Sequence, residues 1–313
     1  MKAITFLLLP VLLLVIGKPL RAQTDMDGLM MEKNAFCVGP MYSYSSWTEY
    51  WEGTRKRENL NLGRVSTRSW SVMGNYGVTR NINLLFNVPY VKTKASAGTL
   101  AGQEGMQDLS LFVKWRAFTR NWGAGRFSLI GVGGVSNPIS NYTPDFLPLS
   151  IGLRSTTLSA RIMADYQIDS WFATGSATYV ARSNIRIDRD AYYTTELHNT
   201  NKVEMPDALN LHFRAGWRNQ LLVAEAVLNN WTTLGGFDIT RNNMPFPSNR
   251  MNALTAGINV KYVMPFHPNL SLVTGGNTTL AGRNVGKATG VYGSFFYVFD
   301  LSRKQKANKT ANP

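Results

Sequence analysis

The side chains best able to do chemistry are the three histidines, and their positions do not combine into one site. His198 lies in a long polar segment, His212 in a segment of alternating polarity and His267 among turn-forming residues. A zinc site needs clustered donors, which these three positions do not supply. Ser183, at the edge of the segment that holds His198, leaves a lipid-modifying enzyme as a distant alternative that no motif supports. We therefore predict that the protein is not an enzyme and has no catalytic residue, metal or cofactor.

Charged residues instead recur inside segments that alternate in polarity, and residues 209–218 are the clearest case. A period of two places apolar side chains on one face of a strand and polar ones on the other. The apolar face holds Leu209, Leu211, Phe213, Ala215 and Trp217, and the polar face holds Asn210, His212, Arg214 and Arg218. The segment is therefore predicted to be a strand with one apolar face and one polar, solvated face.

The same pattern recurs about twelve times along the chain. The predicted strands are 36–50, 63–78, 82–92, 106–118, 126–138, 153–166, 171–183, 207–217, 221–234, 251–264, 270–281 and 288–301. Each is near or above the nine to eleven residues that a tilted strand needs to cross a bilayer. Short links rich in turn formers alternate with longer polar segments, as the turns and loops of outer-membrane barrels do.

We therefore predict an all-β fold: a single antiparallel transmembrane barrel of about 12 strands, with short periplasmic turns and longer external loops. Alternation alone does not say which face points inward. A soluble barrel of this size would have a core that small side chains could hardly fill, whereas a barrel in lipid can keep a polar interior.

The chain ends give the domain boundaries and the location. Residues 1–22 have a basic start, an apolar run and a plausible cleavage point, which are typical of a signal peptide. Residues 23–35 form a polar leader that folds into the barrel body or hangs beneath it, 36–301 form the barrel and 302–313 form a basic tail. The only cysteine is Cys37, so no intramolecular disulfide can form. The predicted location is the outer membrane of a Gram-negative cell.

The basic composition narrows the possible partners. The net charge is +14, and the first 22 residues carry three of these positive charges and no acid, which leaves +11 on the mature chain. Export makes nucleic acid the weakest candidate partner, so outer-membrane lipid and a small-molecule solute are expected. The sequence does not indicate an oligomeric state.

Three stretches carry a resemblance to a known family. Residues 76–81 (YGVTRN), 87–91 (NVPYV) and 105–116 (GMQDLSLFVKWR) resemble the outer-membrane proteins associated with the meta-cleavage pathway of phenol degradation. The resemblance covers roughly the second to fourth strands and implies a transporter or porin-like barrel. One departure is that the last aromatic residue, Phe299, is followed by a basic tail instead of ending the chain.

If odd-numbered strands run outward and even-numbered strands run inward, the cations of the polar faces gather toward the periplasmic end of the lumen. The predicted lumen-lining residues are Lys114, Arg116, Arg161, Asn210, His212, Arg214, Arg218, Glu225 and Lys261. Arg214 is expected nearly opposite Glu225 and to form an ion pair with it, which Lys261 could join. The backbone radius is about 12 Å, so side chains could nearly fill the interior.

Two interpretations of these cations stay open. They form an electropositive constriction that selects anionic or polarisable solutes, or they cross-link a nearly closed interior. We predict a channel or transporter for passive passage of small solutes, with aromatic or anionic solutes as the candidates. The alternative is a non-conducting barrel whose external loops, especially 184–206 and 235–250, bind a surface partner.

Overall fold

The computed structural model describes residues 24–240 and 244–302. The predicted signal peptide, Gln23 of the leader and nearly all of the predicted basic tail lie outside these residues. Within the described ranges, no helix is long and apolar enough to cross a membrane.

Twelve strands form one closed antiparallel barrel, as predicted. They are β1 (Ala35–Trp47), β2 (Val65–Gly77), β3 (Ile82–Ala95), β4 (Asp108–Trp122), β5 (Gly125–Pro138), β6 (Thr157–Ile168), β7 (Trp171–Arg182), β8 (Ala208–Arg218), β9 (Leu222–Thr233), β10 (Asn252–Val263), β11 (Leu270–Arg283) and β12 (Thr289–Asp300). Each strand pairs with its neighbours along the chain, and β1 pairs with both β2 and β12, which closes the wall. Each predicted boundary lies within about four residues of the observed one.

The two faces of the wall differ as the alternation predicts. On β8, Leu211 and Phe213 are 45% and 51% exposed on the outer face, whereas Asn210 and Arg214 are buried inside. An apolar outer wall around a polar interior is stable in a bilayer, where lipid covers the outer side chains and strand pairing satisfies the backbone. The prediction that apolar side chains lie on the outer face and polar ones on the inner face is confirmed, and the fold and outer face are those of an outer-membrane protein.

The external loops carry most of the remaining structure and fold over one end of the barrel. Short strands pair within them, Glu49–Glu52 with Arg55–Glu58, Ile185–Arg186 with Lys202–Val203 and Tyr192–Tyr193 with Leu197–His198. A further short strand, Glu104–Met106, pairs antiparallel with the outer part of β3. In the loop after β5, Leu149 is fully buried and its carbonyl accepts a 2.5 Å hydrogen bond from the Thr93 hydroxyl. The loop is thereby held against the inner wall of β3.

The leader lies inside the barrel, which resolves the choice that the sequence left open. Met31 is buried in one cluster with Cys37 of β1 and Phe296 of β12. The Asn34 amide donates a 2.7 Å hydrogen bond to the Gly77 carbonyl at the end of β2. These contacts fix the leader at the end of the lumen where β1 begins, which is the periplasmic end because the short turns lie there.

Candidate functional site

Five of the cations predicted to line the lumen lie at inward-facing positions of the wall. Lys114 lies on β4, Arg161 on β6, Arg214 and Arg218 on β8 and Lys261 on β10. Lys114, the most enclosed of them, has no exposed surface. Charges buried to this extent need partners because water no longer solvates them.

Arg214 and Glu225 form the predicted ion pair, with 3.2 Å between Nη2 of Arg214 and Oε1 of Glu225. The predicted pairing of the two residues across the strands was wrong by two positions, because Arg214 lies opposite Val227 and Glu225 lies opposite Gly216. Since Gly216 has no side chain, the inner face beside Glu225 is open and Arg214 reaches it diagonally. Glu225 also accepts a 2.6 Å hydrogen bond from Asn259.

Arg218 forms a second ion pair that the sequence analysis missed. Its two terminal nitrogens donate to the two oxygens of Asp165 at 3.1 and 3.2 Å, and the Thr174 hydroxyl donates to the same carboxylate at 2.5 Å. The guanidinium also lies 3.8 Å from the centre of the Phe172 ring. Asp165 lies on the inner face of β6, and β7 separates it from Arg218 along the wall, so sequence spacing does not reveal the contact.

Lys114 and Arg161 find their acids on the leader. Lys114 Nζ lies 3.0 Å from Oδ1 of Asp27, and Nη1 of Arg161 lies 2.9 Å from Oδ2 of Asp25. Burial by itself raises the pKa of the Asp27 carboxyl, but the charges of Lys114 and Arg214 outweigh burial and hold the pKa well below its ordinary value. The acidic leader therefore neutralises part of the wall.

Two other predicted lumen residues, Asn210 and His212, lie on the inner face, as Lys261 does. Asn210 and His212 of β8 are buried toward the outer end of the strand. Lys261 lies opposite Val223, close along β9 to Glu225, and is 7% exposed. That Lys261 joins the Arg214–Glu225 pair stays a prediction.

Arg116 does not belong to the group of lumen cations. Its guanidinium donates to the Asn81 side chain at 2.8 Å and to the Arg80 carbonyl at 2.9 Å, in the short turn between β2 and β3. Arg116 is nearer the periplasmic end of β4 than Lys114, and a bulge follows it. It therefore binds the rim of the barrel.

Two cavities adjoin in the lumen beside the leader. The first has a volume of about 220 Å³ and is lined by apolar side chains, such as Met41 and Val273, and by Arg218 and Lys261. The second has a volume of about 290 Å³ and is lined by Asn210, His212 and neighbouring residues of β9 to β11. Met26, Arg214 and Tyr292 line both cavities.

Each of the two residues of the distant enzyme alternative has a different hydrogen-bond partner. The Ser183 hydroxyl accepts a 2.9 Å hydrogen bond from the Thr156 amide, and Nε2 of His198 lies 3.0 Å from the Thr194 hydroxyl. In the described part of the chain, no group of three or more His, Cys, Asp or Glu residues is arranged to hold a metal ion.

Comparison with known proteins supports the fold. No protein-family model matches the chain, and no curated protein matches it. An outer membrane channel from Pseudomonas putida F1 has a TM-score of 0.70 over 89% of this chain and 100% of that chain, at 13% sequence identity. The NanC porin (4% identity, 82% of this chain and 98% of that chain) and the translocator domain of the autotransporter NalP from Neisseria meningitidis (10%, 88% and 90%) each have a TM-score of 0.44.

The first of these likenesses shows a shared barrel fold. It confirms the 12-stranded outer-membrane barrel and the porin-like architecture that the sequence resemblance implied.

Proposed function

We propose that this barrel is a passive outer-membrane channel for small solutes, with a preference for anionic or aromatic ones. The observation that carries the proposal is the pair of adjoining cavities that meet at Met26, Arg214 and Tyr292. Together they outline a route past the leader along the wall formed by β8 to β12.

The chemistry of the route supports the solute preference. The first cavity is lined by three cations, Arg214, Arg218 and Lys261. A low-dielectric passage lined by cations favours anions. Met41, Met73, Val223, Val273 and Phe296 line the same cavity and offer apolar contacts to a ring or a short hydrocarbon. A small solute with an apolar body and a negative group would match both kinds of lining.

Met26 lines both cavities of this route, and it belongs to the leader and not to the wall. A leader that stays in place leaves only cavities of a few hundred cubic ångströms. We therefore expect a low resting conductance that rises when the leader is loosened.

The alternative of a partner-binding, non-conducting barrel receives less support. In the long external loops, Ile185, Tyr192 and Val203 are buried in one cluster, against which Phe246 packs. Tyr192 stacks between His198 and Phe246, with ring centres 4.8 and 5.3 Å away. These side chains are used to hold the loops to one another.

Conductance in planar bilayers tests the proposal. We would compare the wild-type barrel with the Asp25→Asn, Asp27→Asn double variant, which weakens the leader contacts, and with Lys92→Met, whose side chain lies on the outer rim in a pair with Glu104. The double variant should conduct more, with a reversal potential in a salt gradient that indicates anion preference, and Lys92→Met should match the wild type. If neither the wild type nor the double variant ever opens, the channel function is wrong.

A further inference from the structure

Lys114 and Arg161 occupy one row across the inner wall. Lys114 of β4 lies opposite Val132 of β5, and Val132 lies opposite Arg161 of β6. Two strand spacings therefore separate the backbones of the two cations, which is about 10 Å. Val132 lies between them and is buried with Ile130 and Met163 in an apolar cluster of the wall.

The leader supplies every hydrogen bond that the described structure shows for the Lys114 ammonium group. Its Nζ donates to the Thr24 carbonyl at 3.2 Å, to the Asp27 carbonyl at 2.5 Å and to Oδ1 of Asp27 at 3.0 Å. An ammonium group has three protons, so the leader saturates it. A buried cation whose partners all come from one segment depends on that segment or on a replacement of similar charge.

Arg161 is built into the wall on one side and bound to the leader on the other. Its Nε donates to the Thr178 hydroxyl of β7 at 2.7 Å, which fixes the direction of the guanidinium. Its Nη1 donates to the carbonyl and to Oδ2 of Asp25 at 2.8 and 2.9 Å. The wall thus aims a preorganised donor at the carboxylate of the leader.

We propose that Lys114 and Arg161 form a dicarboxylate-binding site of the lumen, which the leader occupies at rest with Asp25 and Asp27. A solute with carboxylates at both ends of a short apolar spacer would reproduce both ion pairs and lay its spacer over Val132. The proposal rests on the proposed channel function only in supposing that solutes reach the lumen in the cell. By competing with the leader, such a solute favours the open route that it then uses.

The packing of the leader allows this exchange. Met31 anchors the leader in an apolar cluster near the first residues of β1, whereas the part that carries Asp25 and Asp27 is held by the two ion pairs described above. Polar contacts of this kind can be exchanged for those of a solute that offers carboxylates to the same two cations.

Binding of hexanedioate (adipate) to the full-length folded barrel in detergent, measured by isothermal titration calorimetry, tests the site. Wild type should bind adipate weakly because the leader competes. The Asp25→Asn, Asp27→Asn variant should bind it at least tenfold more tightly, because the competing carboxylates are gone. Adding Lys114→Gln and Arg161→Gln to that variant should abolish binding, while Lys92→Met should bind as the wild type does. The neutral diamide of hexanedioate should bind to none of them.

Equal adipate affinity in the wild type and the Asp25, Asp27 double variant would overturn the proposal, as would binding that survives loss of both cations. If the fourfold variant does not fold, Arg161→Gln in the double-variant background replaces it, with an expected loss of at least tenfold in affinity. Calorimetry does not depend on conduction, so a barrel that binds adipate and never opens would refute the channel function and leave this site standing.

Discussion

Arg214 and Glu225 face each other across the lumen wall at 3.2 Å, although their backbones stand two residues out of register. Gly216 makes the diagonal contact possible because it leaves the inner face opposite Glu225 without a side chain. Both ends of the pair are buried, at 10% and 3% side-chain exposure. The pair is therefore an internal cross-link of the wall, and a solute that binds Arg214 in the cavity must compete with Glu225 for the guanidinium.

Removing one member of this pair should destabilise the barrel. Glu225→Ala leaves Arg214 buried without its acid, and the expected loss in the free energy of unfolding is about 3 kcal/mol. Urea unfolding from lipid vesicles, followed by tryptophan fluorescence, measures it. Glu104→Ala, which breaks the exposed pair with Lys92, is the matched control and should change little. Equal losses in the two variants would mean that the lumen solvates Arg214 well.

A charge placed on the outer wall should cost more than the same charge on the inner wall. Ile162 lies in the middle of β6 and is 59% exposed on the lipid face. Ile162→Arg should therefore lower the free energy of unfolding from vesicles by about 2–4 kcal/mol. Ser159→Arg, on the lumen face of the same strand, is the control and should cost less. The opposite order would reverse the assignment of the two faces.

Strand positions and faces could be predicted from the sequence because both follow from a local period of two. Leu211 could be assigned to the outer face and Arg214 to the inner face from the alternation of polarity, the number of strands and the lengths of the links. The offset of Arg214 from Glu225 was not predictable in this way, because the pairing register depends on the geometry of the turn after β8.

The contacts of the leader and of Asp165 could not be predicted from local sequence patterns, for a different reason. Asp27 meets Lys114 across 87 positions of the chain, and Asp165 meets Arg218 across 53. Such contacts are set by barrel closure and by which segment enters the lumen, not by any periodic pattern. The available signal was electrostatic: two aspartates near the start of a short leader, ahead of a wall rich in cations.

The docking of the leader should be insensitive to pH in the neutral and mildly acidic range. Burial by itself raises the pKa of Asp27. The positive charges of Lys114, Arg214 and Lys261 outweigh burial and lower this pKa overall, and Glu225 lies in the same charged group. A lowered pKa means that the contact is fully present above the ordinary carboxyl pKa and is lost only as pH falls through the lowered value.

Wild-type conductance should therefore stay low, and below that of Asp27→Asn, at both pH 8 and pH 5. Planar-bilayer recordings at the two pH values check this, with Asp27→Asn as the reference for a weakened leader. Opening of the wild type between pH 6 and pH 5 would contradict the charge assignment around Asp27.

A substitution at Gly28 tests most directly whether the leader limits passage through the lumen, because it alters no charge. A Cβ atom added at this position would lie 2.2 Å from Oδ1 of Asp165, and Asp165 is held in place by Arg218 and Thr174. A carboxylate fixed by these partners cannot move aside cheaply, so Gly28→Ala should displace the leader from the wall.

The expected result for Gly28→Ala is a resting conductance well above that of the wild type, with Lys114, Arg161 and both leader aspartates still present. Gly133→Ala is the matched control, because a Cβ there would meet nothing within 4 Å. Recordings from single barrels in planar bilayers should show that the Gly133 variant matches the wild type. If Gly28→Ala folds, as judged by its resistance to unheated SDS, and still conducts no more than the wild type, the leader does not limit passage through the lumen.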